Sequence, residues 1–250
     1  MVLHDVRYDG RPLFYRMALS DMNVPYADPR PHYHKKAAFD LGDAGAGLTA
    51  NDLYVISSSI GDVIEKNNCV CIHEQDYGIG WKHTNYRTGN ASVVRARELV
   101  LQSIMTVSNY EYILMFIFTQ AGDVVYEVRA TGILSTQPID EGVQVPWGTV
   151  VHPGVLAAHH QHIFSLRVDP MIDGPNNTFS YDECVPLPRD AHLNPHGTGY
   201  ITKETQISTS GGYDLDMSRN RVFKIKNNDV RNPINQEAVG FKVSVPDYQK

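Results

Sequence analysis

No segment constrains this chain more than residues 110–134. Residues 110–119 are rich in aromatic and branched side chains, and Ala121-Gly122-Asp123 supplies turn chemistry. Beyond the turn, Val125, Glu127 and Arg129 alternate with Val124, Tyr126 and Val128, a broken period of two. Together these read as a β-hairpin. Segments 5–15, 69–73, 92–107, 162–168 and 221–226 also read as strands. Gly-rich or Pro-rich punctuation separates them, including Gly78-Ile79-Gly80 and the Pro186 to Pro195 stretch. No long stretch keeps a period of 3.6, and there is no internal repeat, low-complexity tract or linker-like shift. The expectation is a mainly all-β fold, with residues 1–250 forming one domain or part of one. Strand-like patterns close to both ends favour an incomplete domain.

Composition removes several function classes. A net charge of -6 and a pI near 6.0 leave no basic face for phosphates, so no nucleic-acid partner is expected. No apolar run approaches the roughly 20 residues that span a bilayer, and no membrane partner is expected. Charge arrives by Asp5, so no signal-peptide segment is visible; an intracellular location, cytoplasmic or peroxisomal, is favoured. The three cysteines, Cys69, Cys71 and Cys184, cannot all pair within the chain.

The clearest chemical signal is Ala158-His159-His160-Gln161-His162-Ile163-Phe164-Ser165-Leu166. On a strand, residues i and i+2 share a face, so His160 and His162 can point at one ion while His159 faces away. Imidazoles suit copper, zinc, iron or nickel rather than calcium or magnesium. Flanking Ile163, Phe164 and Leu166 suggest burial. The plain alternative is a pair of hydrogen-bonded surface histidines. Spacing alone does not choose a third ligand among His73, His83, His152, His192 and His196. A cupin has a similar Gly154 followed by His160-x-His162, but it adds a Glu soon after, and no carboxylate precedes Asp169 here.

Thr106-Val107-Ser108-Asn109-Tyr110-Glu111-Tyr112 is by itself a polar patch opening an apolar strand. It resembles the signature of copper amine oxidases, in which the first Tyr is oxidised in place to topaquinone. His160-Gln161-His162 resembles that family's copper-ligand pair at the usual distance downstream. Phe39-Asp40-Leu41-Gly42-Asp43 resembles the segment with the catalytic base, and Val24-Pro25-Tyr26-Ala27-Asp28-Pro29 the segment whose Tyr bonds the quinone. The resemblance covers nearly the whole chain and implies part of a large catalytic β-sandwich. It implies oxidative deamination of a primary amine by dioxygen, giving aldehyde, ammonia and hydrogen peroxide. Copper held by His160 and His162 and topaquinone made from Tyr110 are the implied cofactors. Asp40 is the implied base, Tyr26 the quinone's hydrogen-bond partner, Asn109 a ring-orienting residue, and a homodimer the assembly. The family's third copper ligand, in a Thr-His-x-x-Arg-type segment, has no counterpart after His196. Cys71 lacks the family's disulfide partner, and Ala38 stands where an aromatic gate is usual. The alternative expectation is therefore a catalytically inactive fragment of such an enzyme.

Overall fold

The structure, a computed structural model, describes residues 1–30, 40–42, 49–56 and 63–245, with side chains described for 1–30 and 67–245. Among these residues the fold is all-β. Its strands are β1 (Val2–Tyr8), β2 (Arg11–Asn23), β3 (Asp40–Gly42), β4 (Thr49–Ile56), β5 (Val63–Thr84), β6 (Ala91–Val107), β7 (Tyr110–Thr119) and β8 (Val124–Gly132). They continue with β9 (Gln137–Pro138), β10 (Gly148–His152), β11 (Val155–Ala158), β12 (Ile163–Pro170), β13 (Asn177–Pro186), β14 (Tyr200–Ile207), β15 (Val222–Arg231) and β16 (Ala238–Val243). The described helix is a single 3-10 turn at Met217–Arg219.

The chain divides into two compact units. The first comprises Met1 and Leu19–Ser165. It contains the antiparallel sheet β4-β5-β6-β7-β8, with β3 also paired to β6, and the small sheet β10-β11-β9. The second comprises Val2–Ala18 and Leu166–Lys250 and holds the sheet β14-β13-β15-β16. Strands β1, β2 and β12 form a further three-stranded sheet.

Strand β7 lies between β6 and β8, with ladders running Val107↔Tyr110 to Glu98↔Thr119 and Tyr110↔Gly132 to Phe118↔Val124. Burial on both faces explains its nearly unbroken apolar run. On one face Tyr110, Tyr112 and Leu114 pack with Met22, Val24, Met105 and Val107. On the other, Met115 and Ile117 pack with Val100. Fully burying each large apolar side chain stabilises by roughly 1.5–3 kcal/mol.

Two sequence readings need correction. Gly78 and Gly80 do not end a strand: β5 runs through them, because register shifts between Asp76 and Trp81 absorb the irregularity as bulges. Segment 5–15 is not one strand but two. Asp9 and Gly10, with φ of 49° and 77°, form the left-handed turn of a two-residue hairpin joining β1 and β2. Cys71 and Cys184 are free thiols, and Cys69 and Cys71 are buried.

Candidate functional site

The site lies within the first unit, where three short stretches converge on the start of β7. Strands β6 and β7 are joined by Ser108-Asn109, with Ser108 at φ 57°, a sign that two-residue hairpin turns favour. Tyr110 is therefore the first residue after the turn. Its cross-strand neighbour is Gly132, where an added Cβ would lie 2.4 Å from the Asn109 carbonyl oxygen and 2.9 Å from Tyr110 Cα. The missing side chain lets β8 close against Tyr110. Asn109 is exposed, and its carbonyl accepts the Ile133 N–H at 2.7 Å.

Residues 25–27 zip against 159–161. Tyr26 and His160 form an antiparallel bridge, flanked by Ala27 N–H to the His159 carbonyl (2.8 Å) and Gln161 N–H to the Pro25 carbonyl (3.1 Å). The histidine pair thus precedes β12 rather than riding on it. Extended backbone still brings the two rings together, with centroids 4.9 Å apart, while His159 is exposed. Burial of the flanking residues is narrower than expected: Phe164 packs against Tyr112, but Ile163 and Leu166 are 40% and 37% exposed. Ile163 alternates to the face away from the cluster.

Five polar rings then meet. The Tyr26 and Tyr110 hydroxyls are 2.6 Å apart, and Tyr110 Oη is 3.3 Å from His160 Nε2. Tyr26 stacks on His160 with centroids 4.7 Å apart. His160 Nδ1 lies 3.0 Å from the Ala158 carbonyl. A carbonyl only accepts, so the proton sits on Nδ1 and the lone pair is left on Nε2. Tyr112 Oη is 2.6 Å from His162 Nδ1. The pair therefore offers imidazole nitrogens of the kind that suit copper.

The electrostatics favour neutral forms. Burial, reinforced by Tyr26, raises the Tyr110 phenol above its usual range against an opposing contact from Ser135. Burial first, then Tyr110 and Tyr26, pushes Tyr112 up to about 12. His162 is lowered by burial and then by His160, which keeps the ring a neutral donor. Among the described residues, no group of three His, Cys, Asp or Glu side chains gathers as a metal site.

Tyr110, Tyr26, His160 and His162 are thus brought together. Asp40 opens β3, and its backbone pairs with Thr106, four residues before Tyr110. Its side chain lies outside the described residues, as do Ala38 and Asp43. Sequence reading missed Tyr112 as the partner of His162, although its place two residues after Tyr110 on one strand face was a usable signal. It also missed Asp28. That carboxylate is bound by Arg30 Nη2 at 2.6 Å and Gln137 Nε2 at 2.6 Å, anchoring the stretch that carries Tyr26. Arg30 holds its pKa down at about 2. Arg30 is a local partner two residues on, but the tie to Gln137, 109 residues away, has no local mark.

The family model "Copper amine oxidase, enzyme domain" matches residues 1–250. The chain is 47% identical over 254 residues to copper amine oxidase 1 of Aspergillus niger, covering 96% of this chain and 38% of that protein. It is 35% identical over 268 residues to the peroxisomal primary amine oxidase of Pichia angusta, covering 97% and 39% respectively. Among solved structures, the copper-containing benzylamine oxidase from Hansenula polymorpha superposes with a TM-score of 0.92 at 41% identity, covering 99% of this chain and 41% of that one. The chain thus spans about two fifths of the length of these relatives. A match along its whole length, together with relatives of one kind, leads to a single conclusion: this chain belongs to the copper amine oxidase family.

Proposed function

We propose that residues 1–250 are part of the catalytic domain of a copper- and quinone-dependent primary-amine oxidase, with Tyr110 the residue that becomes topaquinone. The observation that carries this reading is the buried Tyr110 hydroxyl, 2.6 Å from Tyr26 and 3.3 Å from His160 Nε2, beside His162. The reaction converts a primary amine, dioxygen and water to an aldehyde, ammonia and hydrogen peroxide, with two electrons passing from amine to dioxygen. His160 and His162 would hold copper. Bound copper would support the oxidation of the Tyr110 ring, with dioxygen as the oxidant and oxygen source, and topaquinone would supply a carbonyl that accepts the amine's electrons.

The chain's own residues do the rest. Tyr26 holds the oxygen of residue 110 and, through its stack on His160, fixes the distance between that oxygen and the metal side. Asn109, in the turn before Tyr110, orients the ring. Asp40 takes the proton from the carbon next to nitrogen, which requires a base within hydrogen-bond reach. Packing from Met22, Val24 and Val107 excludes water around the ring. A homodimer is part of this reading. The far end of the β5–β6 ribbon, where Ile79, Trp81, Val93 and Val94 are exposed, offers apolar surface for a second copy. A peroxisomal location follows relatives such as the Pichia angusta enzyme.

A second reading, an inactive fragment, is favoured by the lack of a three-ligand group among the described residues. Copper and dioxygen separate the two. The purified chain should develop quinone absorbance and redox staining, and Tyr110→Phe should not. A copper-loaded wild-type chain with no quinone would leave the inactive fragment as the answer.

A further inference from the structure

We infer that Tyr112 is a positioning residue for the metal site: its buried hydroxyl accepts the Nδ1 proton of His162 and so presents Nε2 to the ion. The inference rests on the copper reading above.

Tyr112 is fully buried, and its hydroxyl stands 2.6 Å from His162 Nδ1. Phe164 meets its ring edge-on at 5.4 Å, and His162 does so at 5.7 Å, which fixes both rings. His160 has the equivalent anchor in the Ala158 carbonyl, 3.0 Å from its Nδ1. The two anchors differ chemically. A carbonyl only accepts, so His160 is held permanently with its lone pair on Nε2. A phenol can donate or accept. Without metal it can donate to Nδ1 of the Nε2-protonated ring. With metal on Nε2, the ring proton must sit on Nδ1, and the same oxygen accepts it. The hydrogen bond survives the change of tautomer, so His162 reaches the liganding form without leaving a buried nitrogen unpaired. His162 is thus the histidine of the pair whose tautomer can change on metal binding.

The test is Cu(II) titration of the 250-residue chain and its variants, with folding followed by circular dichroism. Tyr112→Phe should weaken Cu(II) binding by about 10–100-fold, the usual effect of losing such a partner. Tyr126→Phe removes a half-buried phenol that is not bonded to either histidine and should leave binding within about two-fold of wild type. His160→Ala and His162→Ala must each lose binding. If they bind copper like wild type, the copper reading fails. If they lose it while Tyr112→Phe binds like wild type, only the present inference fails. Imidazole 15N spectra of the Zn(II)-loaded wild type give an independent answer should Tyr112→Phe not fold. They should show His162 protonated on Nδ1 in a hydrogen bond; protonation on Nε2 would overturn the proposal.

Discussion

The two units bury polar side chains in opposite ways. In the first, Tyr110, Tyr112 and His162 are all shifted toward their neutral forms, with burial the leading cause. In the second, buried Glu183 is held in its charged form by Arg221 and Arg219, Lys224 pairs with buried Asp182, and at the surface Lys226 holds Glu204 charged. The Arg221 Nη2 to Glu183 distance is 2.6 Å. A charge answered by its opposite has little capacity left for a ligand. A neutral imidazole keeps a lone pair, and burial makes that pair expensive to leave unused. The difference separates a cluster suited to binding from one suited to holding strands together. Asp28 is the exception in the first unit: a buried carboxylate kept ionised by Arg30, outside the ring cluster, where it anchors the Tyr26 stretch.

The contrast can be broken most directly by paired substitutions. His162→Ala should remove measurable copper from the purified chain, whereas Glu183→Gln should retain copper and lower only the melting temperature. Equal copper loss in both would erase the distinction. Next in size is Gly132→Ala. A side chain there meets the Asn109 carbonyl at φ +106°, so strain of order 1–3 kcal/mol is expected in urea unfolding, together with reduced quinone formation. Tyr26→Phe removes one half-buried hydroxyl contact to Tyr110 and should cost about 0.5–1.5 kcal/mol in the same assay.

The smallest expected effect is on a slope. Asp28 falls from its ordinary 3.8 to about 2 in the folded chain. The unfolded chain therefore takes up this proton first. Its stabilisation is present above about 3.8 and is lost as pH falls toward about 2. Asp28→Asn should remove this part of the acid slope, which stability measurements between pH 5 and pH 2 would reveal.

The same contrast explains what could be read in advance. Strands β6, β7 and β8 were legible because apolar and branched residues mark them. Strands β13 and β14 were not. Asp182, Glu183 and Glu204 interrupt any apolar pattern, and their partners Lys224, Arg221 and Lys226 lie 22 to 42 residues away along the chain. The short hairpin at Asp9-Gly10 was hidden because strand-like residues continue on both sides of it. In the site, His160 and His162 were marked by their i, i+2 spacing, and Tyr110 and Tyr26 were named through motif resemblance. The roles of Tyr112, Gly132 and Asp28 became visible only once the strands were paired.

The amino-acid sequence by itself determined the strand-forming character of this chain and the donors it carries: phenols beside an apolar strand, and two imidazoles at i and i+2. Those properties are local, set by the alternation of side chains along extended backbone. The tertiary structure decided which phenol meets which imidazole, because Tyr110 and Tyr112 reach His160 and His162 across 50 residues of chain. It also decided the direction in which the cluster's titrations move. Burial is a property of packing, and it is burial that lowers His162 and raises the two tyrosines, moving all three further toward their neutral forms.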